Sequence, residues 1–309
     1  MSPALCVDFG TSSIRIALRR AKGELQVLDI GRVTNSQSID SASIRSDVCI
    51  EADHETILFG ELAHQAIRSG RPLAFKSSSS KLWLKNPADL GKSVLPGLDV
   101  TRRDLLVGLM AYALYAAQAT GHWEAPEQPD DGEHWTIPAA CDVRVAHPVW
   151  EDSISDAAGR AMRQITALAL FMASAGDWNE TSIQILKTWT RPTEGEGFPE
   201  YLPRTDTLEP VAAAVELLPG ISSSRKICVV VDVGAGTTDI GVFQSLTPDI
   251  DAPLATKLIP AGPTMSVFKA GDLIDQTLLD LIGELYPTYF KRDKYDLESR
   301  IRSFKETLF

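Results

Sequence analysis

Two stretches of this chain, 224 residues apart, align without a gap. Leu5–Leu18 reads LCVDFGTSSIRIAL, and Val229–Phe243 reads VVVDVGAGTTDIGVF. Setting Asp8 on Asp232 places Gly10 on Gly234, Ser12 on Gly236, Ser13 on Thr237, Ile16 on Ile240 and Leu18 on Val242. Each stretch begins as apolar strand, reaches an aspartate, turns through glycine and hydroxyl residues, and returns as strand. A strand–turn–strand repeated this far apart predicts a duplicated architecture, one hairpin per lobe. The chain's 309 residues match the length two domains need.

The turns decide the chemistry. A Walker loop needs Gly-Lys-Ser/Thr after its glycines, and neither turn has the lysine. A dinucleotide fingerprint needs a glycine turn that opens a helix, whereas Ile240, Val242 and Phe243 read as strand. Small residues let backbone N–H groups come close to a ligand, hydroxyls add donors, and a carboxylate holds a metal through water. Two such tips facing one another across a cleft would clasp a polyphosphate. Asp8 and Asp232 would then flank a magnesium ion, which keeps most of its waters and needs only one or two carboxylates. The plain alternative for either copy alone is an ordinary tight hairpin.

A net charge of −11 argues against nucleic acid or an anionic membrane surface as partner. The one local basic cluster, Lys291–Lys294, is short and broken by Asp293. Cys6, Cys49, Cys141 and Cys228 are widely spaced with no CxxC; Cys6 and Cys228, each just ahead of an aspartate in an apolar strand, read as buried thiols in a reducing compartment. The first strand starts within a few residues of Met1, so no signal peptide is expected, and no apolar run approaches membrane-spanning length. The expected location is cytoplasmic.

Between the hairpins the pattern alternates strand and helix, which predicts an α/β fold. Strands are expected at Leu25–Ile30 and Val48–Ala52, and a short strand at Ile57–Gly60 entering a helix at Glu61–Ile67. Ser77–Ser80 reads as loop. Apolar residues at 105, 106, 109, 110, 113 and 114 predict a helix over Arg102–Thr120. His122–His134 reads as a loop, Asp142–Val149 as a strand, and Ser153–Asp156 as a capping-box start to a helix reaching about Ala173. Gly176–Thr205 reads as irregular; Leu208–Leu218, with Pro210 near its first turn, reads as a helix. Further helices are expected from Gly271-Asp272 to about Leu285 and over Leu297–Leu308.

Five ordered motifs give the chain a resemblance to the actin-like ATPase superfamily. They are Asp8–Ser13, Phe59-Gly60-Glu61-Leu62-Ala63, Glu209-Pro210-Val211-Ala212-Ala213-Ala214, Asp232–Asp239 and Gly271-Asp272-Leu273-Ile274-Asp275. Within the superfamily the chain most resembles the nucleotide-binding domain of the seventy-kilodalton heat-shock chaperones. The bacterial rod-shape actins are the nearest rival. The resemblance implies two lobes, each a mixed sheet with flanking helices, around a nucleotide cleft, with the first lobe over 1–208 and a partial second lobe over 209–309. It also implies roles. The backbone of Gly10, Thr11, Ser12 and Ser13 and of Gly234, Ala235, Gly236 and Thr237 would hold the phosphates of ATP or ADP. Asp8 and Asp232 would hold Mg2+ through water, Asp232 would also serve as a proton acceptor, and Thr237 would touch the γ-phosphate.

Glu209 would help position the attacking water; read without the family, it is an acid favoured by the helix dipole in a first turn. A γ-phosphate lysine of the chaperones falls best on Lys81, with Lys76 as runner-up, and a solvated surface lysine is the alternative for both. Lys305 is a weak candidate for a purine contact. The sequence departs from the family at Ala235, where glycine is preferred, at the lengthened Gly176–Thr205 link, and after Asp239, where 70 residues leave no room for the adenosine-cradling segment. The expected function is therefore a chaperone-like, slowly hydrolysing ATPase with nucleotide, a co-chaperone or a client protein as partner. The alternatives are a non-catalytic actin-fold interaction module and a polymerising bacterial actin-like protein. Self-association through the incomplete second lobe is expected.

Overall fold

The computed structural model describes residues 4–20, 24–34, 41–120, 141–147, 152–173, 178, 181–190, 204–209, 226–246, 257–260, 264–267, 270–288, 290, 297 and 300–301. In chain order these form β1 (Ala4–Phe9), β2 (Ser13–Arg19), β3 (Leu25–Val27), α1 (Ile30–Thr34), β4 (Ser43–Arg45), β5 (Val48–Glu51), β6 (Thr56–Phe59), α2 (Gly60–Arg68), β7 (Leu73–Ser77), α3 (Arg102–Thr120), β8 (Asp142–His147), α4 (Asp152–Ala173), β9 (Thr181–Ser182), α5 (Ile183–Thr190), β10 (Arg204–Leu208), β11 (Lys226–Val233), β12 (Thr238–Leu246), β13 (Lys257–Pro260), β14 (Met265–Val267) and α6 (Gly271–Leu285). The protein is α/β. It divides into two compact units, one of residues 1–147 and 151–206, the other of 148–150 and 207–309.

In the first unit the main sheet runs β10-β8-β1-β2-β3, with β4 also on β2. β1 and β2 are antiparallel, and β1 and β8 parallel, the connection between them passing through α3. Alternation fixes the two faces. Leu5, Val7, Phe9, Ile14, Ile16, Ile44, Val143 and Val145 are buried on one face. Cys6, Asp8 and Arg15 are exposed on the other. A second sheet, β7-β5-β6-β9, stands beside it in sequence and is antiparallel throughout.

α3 is the central helix. Thr101 and Asp104 cap it reciprocally: the Thr101 N–H donates to Asp104 Oδ2 at 2.8 Å, and the Asp104 N–H donates to Thr101 Oγ1 at 3.1 Å. Its residues from Asp104 to Leu114 are buried all round, as befits a helix packed by α1, α4, α5 and β2. Two glycines make that packing close. A Cβ on Gly108 would stand 2.5 Å from the Phe59 ring. A Cβ on Gly60, at φ +62°, would stand 2.6 Å from Tyr112 and 2.8 Å from Ile44. The Phe59-Gly60 pair is thus fixed by the core as well as by conformation.

In the second unit β11 and β12 pair antiparallel, and β13 and β14 share the other edge of β12. In the first unit β3 and β4 share the other edge of β2 in the same way. The duplication therefore covers four strands, not only the hairpin. No helix among the described residues is long and apolar enough to cross a membrane.

Several expectations change in detail. The strand at Leu25 stops at Val27, and Ile30 opens a short helix. The link read as irregular holds β9, α5 and the start of β10; Leu186 and Thr190, buried on α5, supply the helical spacing that neighbouring glycines and prolines obscured. Leu208 ends a strand and does not open a helix. Cys6 is exposed, because its strand alternation puts it on the open face, and Cys228 is half-buried; Cys49 and Cys141 are buried. His122–His134, Lys291–Lys294, the helix expected beyond Glu209 and Lys305 lie outside the described residues.

Candidate functional site: two matching glycine turns

The two hairpins agree pair for pair. Asp8 is opposite Arg15, Phe9 opposite Ile14, and Val7 opposite Ile16. Asp232 is opposite Asp239, Val233 opposite Thr238, and Val231 opposite Ile240. Each partner in one hairpin is the sequence equivalent of the partner in the other, so the register as well as the pattern is duplicated.

The first turn demands glycine and the second leaves little room for a side chain, in neither case for its φ. Neither Gly10 nor Gly234 has a positive φ. A Cβ on Gly10 would lie 2.4 Å from the Ser13 carbonyl oxygen, and one on Gly234 would lie 3.2 Å from the equivalent oxygen of Thr237. The chain folds back on itself at this point, and the Gly234 N–H donates to the Thr237 carbonyl at 2.8 Å. Ala235 is unstrained, since His54 is the one non-glycine residue of positive φ among the described residues.

The first turn is held from the residue just after β4. Ser46, fully buried, donates its hydroxyl to the Gly10 carbonyl at 2.9 Å and its N–H to the Ser12 carbonyl at 3.0 Å. The next residue, Asp47, accepts the Gly60 N–H on its carbonyl at 2.9 Å, and its carboxylate lies 3.1 Å from His64 Nδ1. Ser46 is thereby tied to the start of α2. The second turn is held from α6, whose first N–H, that of Gly271, donates to the Gly234 carbonyl at 3.1 Å. Sequence reasoning missed Ser46, Asp47 and His64, because each acts through a long-range contact that leaves no local pattern. It singled out Gly271 without finding its partner.

The remaining site residues are placed as follows. Asp8 is the next-to-last residue of β1, exposed, while Asp232 is the next-to-last residue of β11, half-buried; Thr11, Gly236, Thr237 and Asp239 are buried and Gly234 is exposed. Ser12, Ser13 and Ala235 are half-buried. Lys81 is only 4% exposed, in a short 3-10 turn over Ser80–Lys85 packed against α3 and α4. A side chain this buried is not a solvated surface lysine. Lys76 is exposed on β7. Glu209 is half-buried and helical immediately after β10. Asp8, the first turn and Lys81 belong to the first unit; Glu209, Asp232 and the second turn belong to the second.

Among the described residues no three His, Cys, Asp or Glu side chains cluster as a metal cage. A hydrated magnesium held by one or two carboxylates does not need one. No model of a known protein family matches the chain, and no curated protein matches it in sequence.

Proposed function

We propose that the chain is an ATP-binding, magnesium-dependent and slowly hydrolysing unit of the actin-like ATPase type, of the kind found in the seventy-kilodalton heat-shock chaperones. The observation that carries this reading is the duplicated register: two four-strand units, each with an aspartate near the strand end and a glycine turn beside it. The first unit supports it further, with an antiparallel meander extended through helices by β8 and β10. Ligands of α/β sheets bind at the carboxyl ends of parallel strands, and Asp8 stands near that end of β1, which pairs parallel with β8.

On this reading the backbone at Gly10–Ser13 and that at Gly234–Thr237 would each hold phosphate oxygens. Asp8 and Asp232 each offer the hard oxygen ligands that a hydrated magnesium ion takes, each beside a glycine turn. The ion, when bound, offsets phosphate charge. Lys81 and the buried Thr237 hydroxyl serve the γ-phosphate, Glu209 orients water, and Asp232 accepts its proton. Phosphoryl transfer needs little more from a protein than such positioning and electrostatics.

Titration of wild type with ATP and ADP, with and without Mg2+, tests this. Asp8→Asn and Asp232→Asn are expected to weaken the magnesium-dependent part of the affinity. Lys81→Ala and Glu209→Gln are expected to slow turnover more than they weaken binding. Unchanged affinity in both aspartate variants counts against the reading. A second reading, a non-catalytic interaction module that docks a client or co-chaperone, is favoured by the exposed apolar residues of β11 and α6. Nucleotide binding without any turnover would select it.

A further inference from the structure

We propose that Ser46 is a positioning residue for phosphate binding: it presets the backbone N–H of Thr11 as a donor, as Gly271 presets that of Ala235. The inference rests on the nucleotide reading above and deepens it.

A trans peptide holds its C=O and the following N–H on opposite sides. Whatever captures the Gly10 carbonyl therefore aims the Thr11 N–H the other way. Ser46 does so with its hydroxyl, at 2.9 Å, from a fully buried position. Whatever captures the Gly234 carbonyl aims the Ala235 N–H, and the Gly271 N–H does so at 3.1 Å. Thr11 and Ala235 are equivalent positions of the duplication. Neither N–H donates to a backbone carbonyl among the turns of the described residues.

The two captors are also topologically equivalent. Ser46 directly follows β4, which lies on β2 beside the first turn. Gly271 follows β14, which lies on β12 beside the second. One lobe uses a side-chain hydroxyl and the other a backbone N–H, yet both fix the same peptide plane. Such preset donors are the basis of anion-binding backbone concavities, because no reorganisation is needed when the ligand arrives. This also accounts for Ala235: the turn uses its N–H, which alanine keeps. The Asp47–His64 pair and the bond from the Gly60 N–H to Asp47 hold Ser46 in place from behind.

The test compares wild type, Ser46→Ala and Ser46→Thr in titrations with Mg–ADP and with magnesium pyrophosphate. Amide NMR reports on Thr11. Ser46→Ala is expected to weaken binding about three- to tenfold, the range of one net hydrogen bond. Ser46→Thr, which keeps the hydroxyl, restores it. In wild type the Thr11 amide resonance moves on adding pyrophosphate. Ser46→Ala binding as tightly as wild type overturns the proposal, and so does a wild-type Thr11 amide unmoved by a ligand that binds. Those results leave the nucleotide reading standing. A wild type that binds neither probe overturns both.

Discussion

Asp232 stands directly opposite Asp239 across the β11–β12 pair, where the equivalent Asp8 stands opposite Arg15. Asp239 is 1% exposed. The two turns thus carry different partners at an equivalent position of the duplication. On the magnesium reading each aspartate supplies a carboxylate to the ion's water shell. Asp8→Asn and Asp232→Asn are each expected to reduce the rise in thermal midpoint on adding Mg2+ with ADP. Calorimetric scans with and without Mg2+ check this; an undiminished rise in both variants contradicts it.

The glycines of the two turns differ in how little room they have. A methyl group on Gly10 would sit 2.4 Å from backbone oxygen, and on Gly234 3.2 Å. Gly10→Ala must move the turn and is expected to abolish nucleotide binding, whereas Gly234→Ala needs a shift of a few tenths of an ångström and weakens it only modestly. Gly60→Ala, facing both Tyr112 and a left-handed φ, costs roughly 2–3 kcal/mol of stability. Chemical denaturation of the three variants, run beside nucleotide titration, separates turn damage from core damage.

Thiol reactivity follows burial. Burial pushes the Cys49 thiol up to about 12, helped by Glu51 and Asp47, and pushes Cys141 up to about 11. Both are therefore protonated and shielded at pH 8. Cys6 is exposed; desolvation raises its thiol too, but Arg144 and Arg19 pull it back. A disulfide reagent is expected to modify Cys6 first and to reach Cys49 and Cys141 only in denaturant. Because these two thiols are harder to ionise folded than unfolded, they add stability below the unfolded pKa near 9.0. That stability falls as pH climbs from 9 through 11 and 12. Rapid labelling of Cys49 in the native protein would refute the burial it depends on.

The repeated strand has opposite surroundings in the two units. Leu5, Val7 and Phe9 are buried at 0–1%, while their equivalents Val229, Val231 and Val233 are 55–64% exposed. Ile227 on β11 and Leu273, Ile274, Leu278, Leu281 and Leu285 on α6 are exposed as well. Apolar surface of this extent drives association. Copies of the chain are expected to associate with rising concentration in light scattering, and replacing Val229 and Val231 by lysine is expected to reduce this. A monodisperse monomer at high concentration would contradict it.

The sequence by itself determined what depends on local order. Alternation around Asp8 and Asp232 specified both hairpins and their common register, since strand period and turn length leave no other pairing. The apolar spacing of residues 102–120 specified α3 to the residue. Only the tertiary structure decided what depends on contact between distant segments. It buried Lys81 and exposed Cys6, and it put helix α5 into a stretch whose breakers hid it. It extended the duplication from two strands to four. It also brought Ser46 to Gly10, 36 residues away, and Gly271 to Gly234. A hydrogen bond across that separation is set by how the sheet closes, and closure depends on every strand at once, so no pattern near Ser46 or Gly271 announces it.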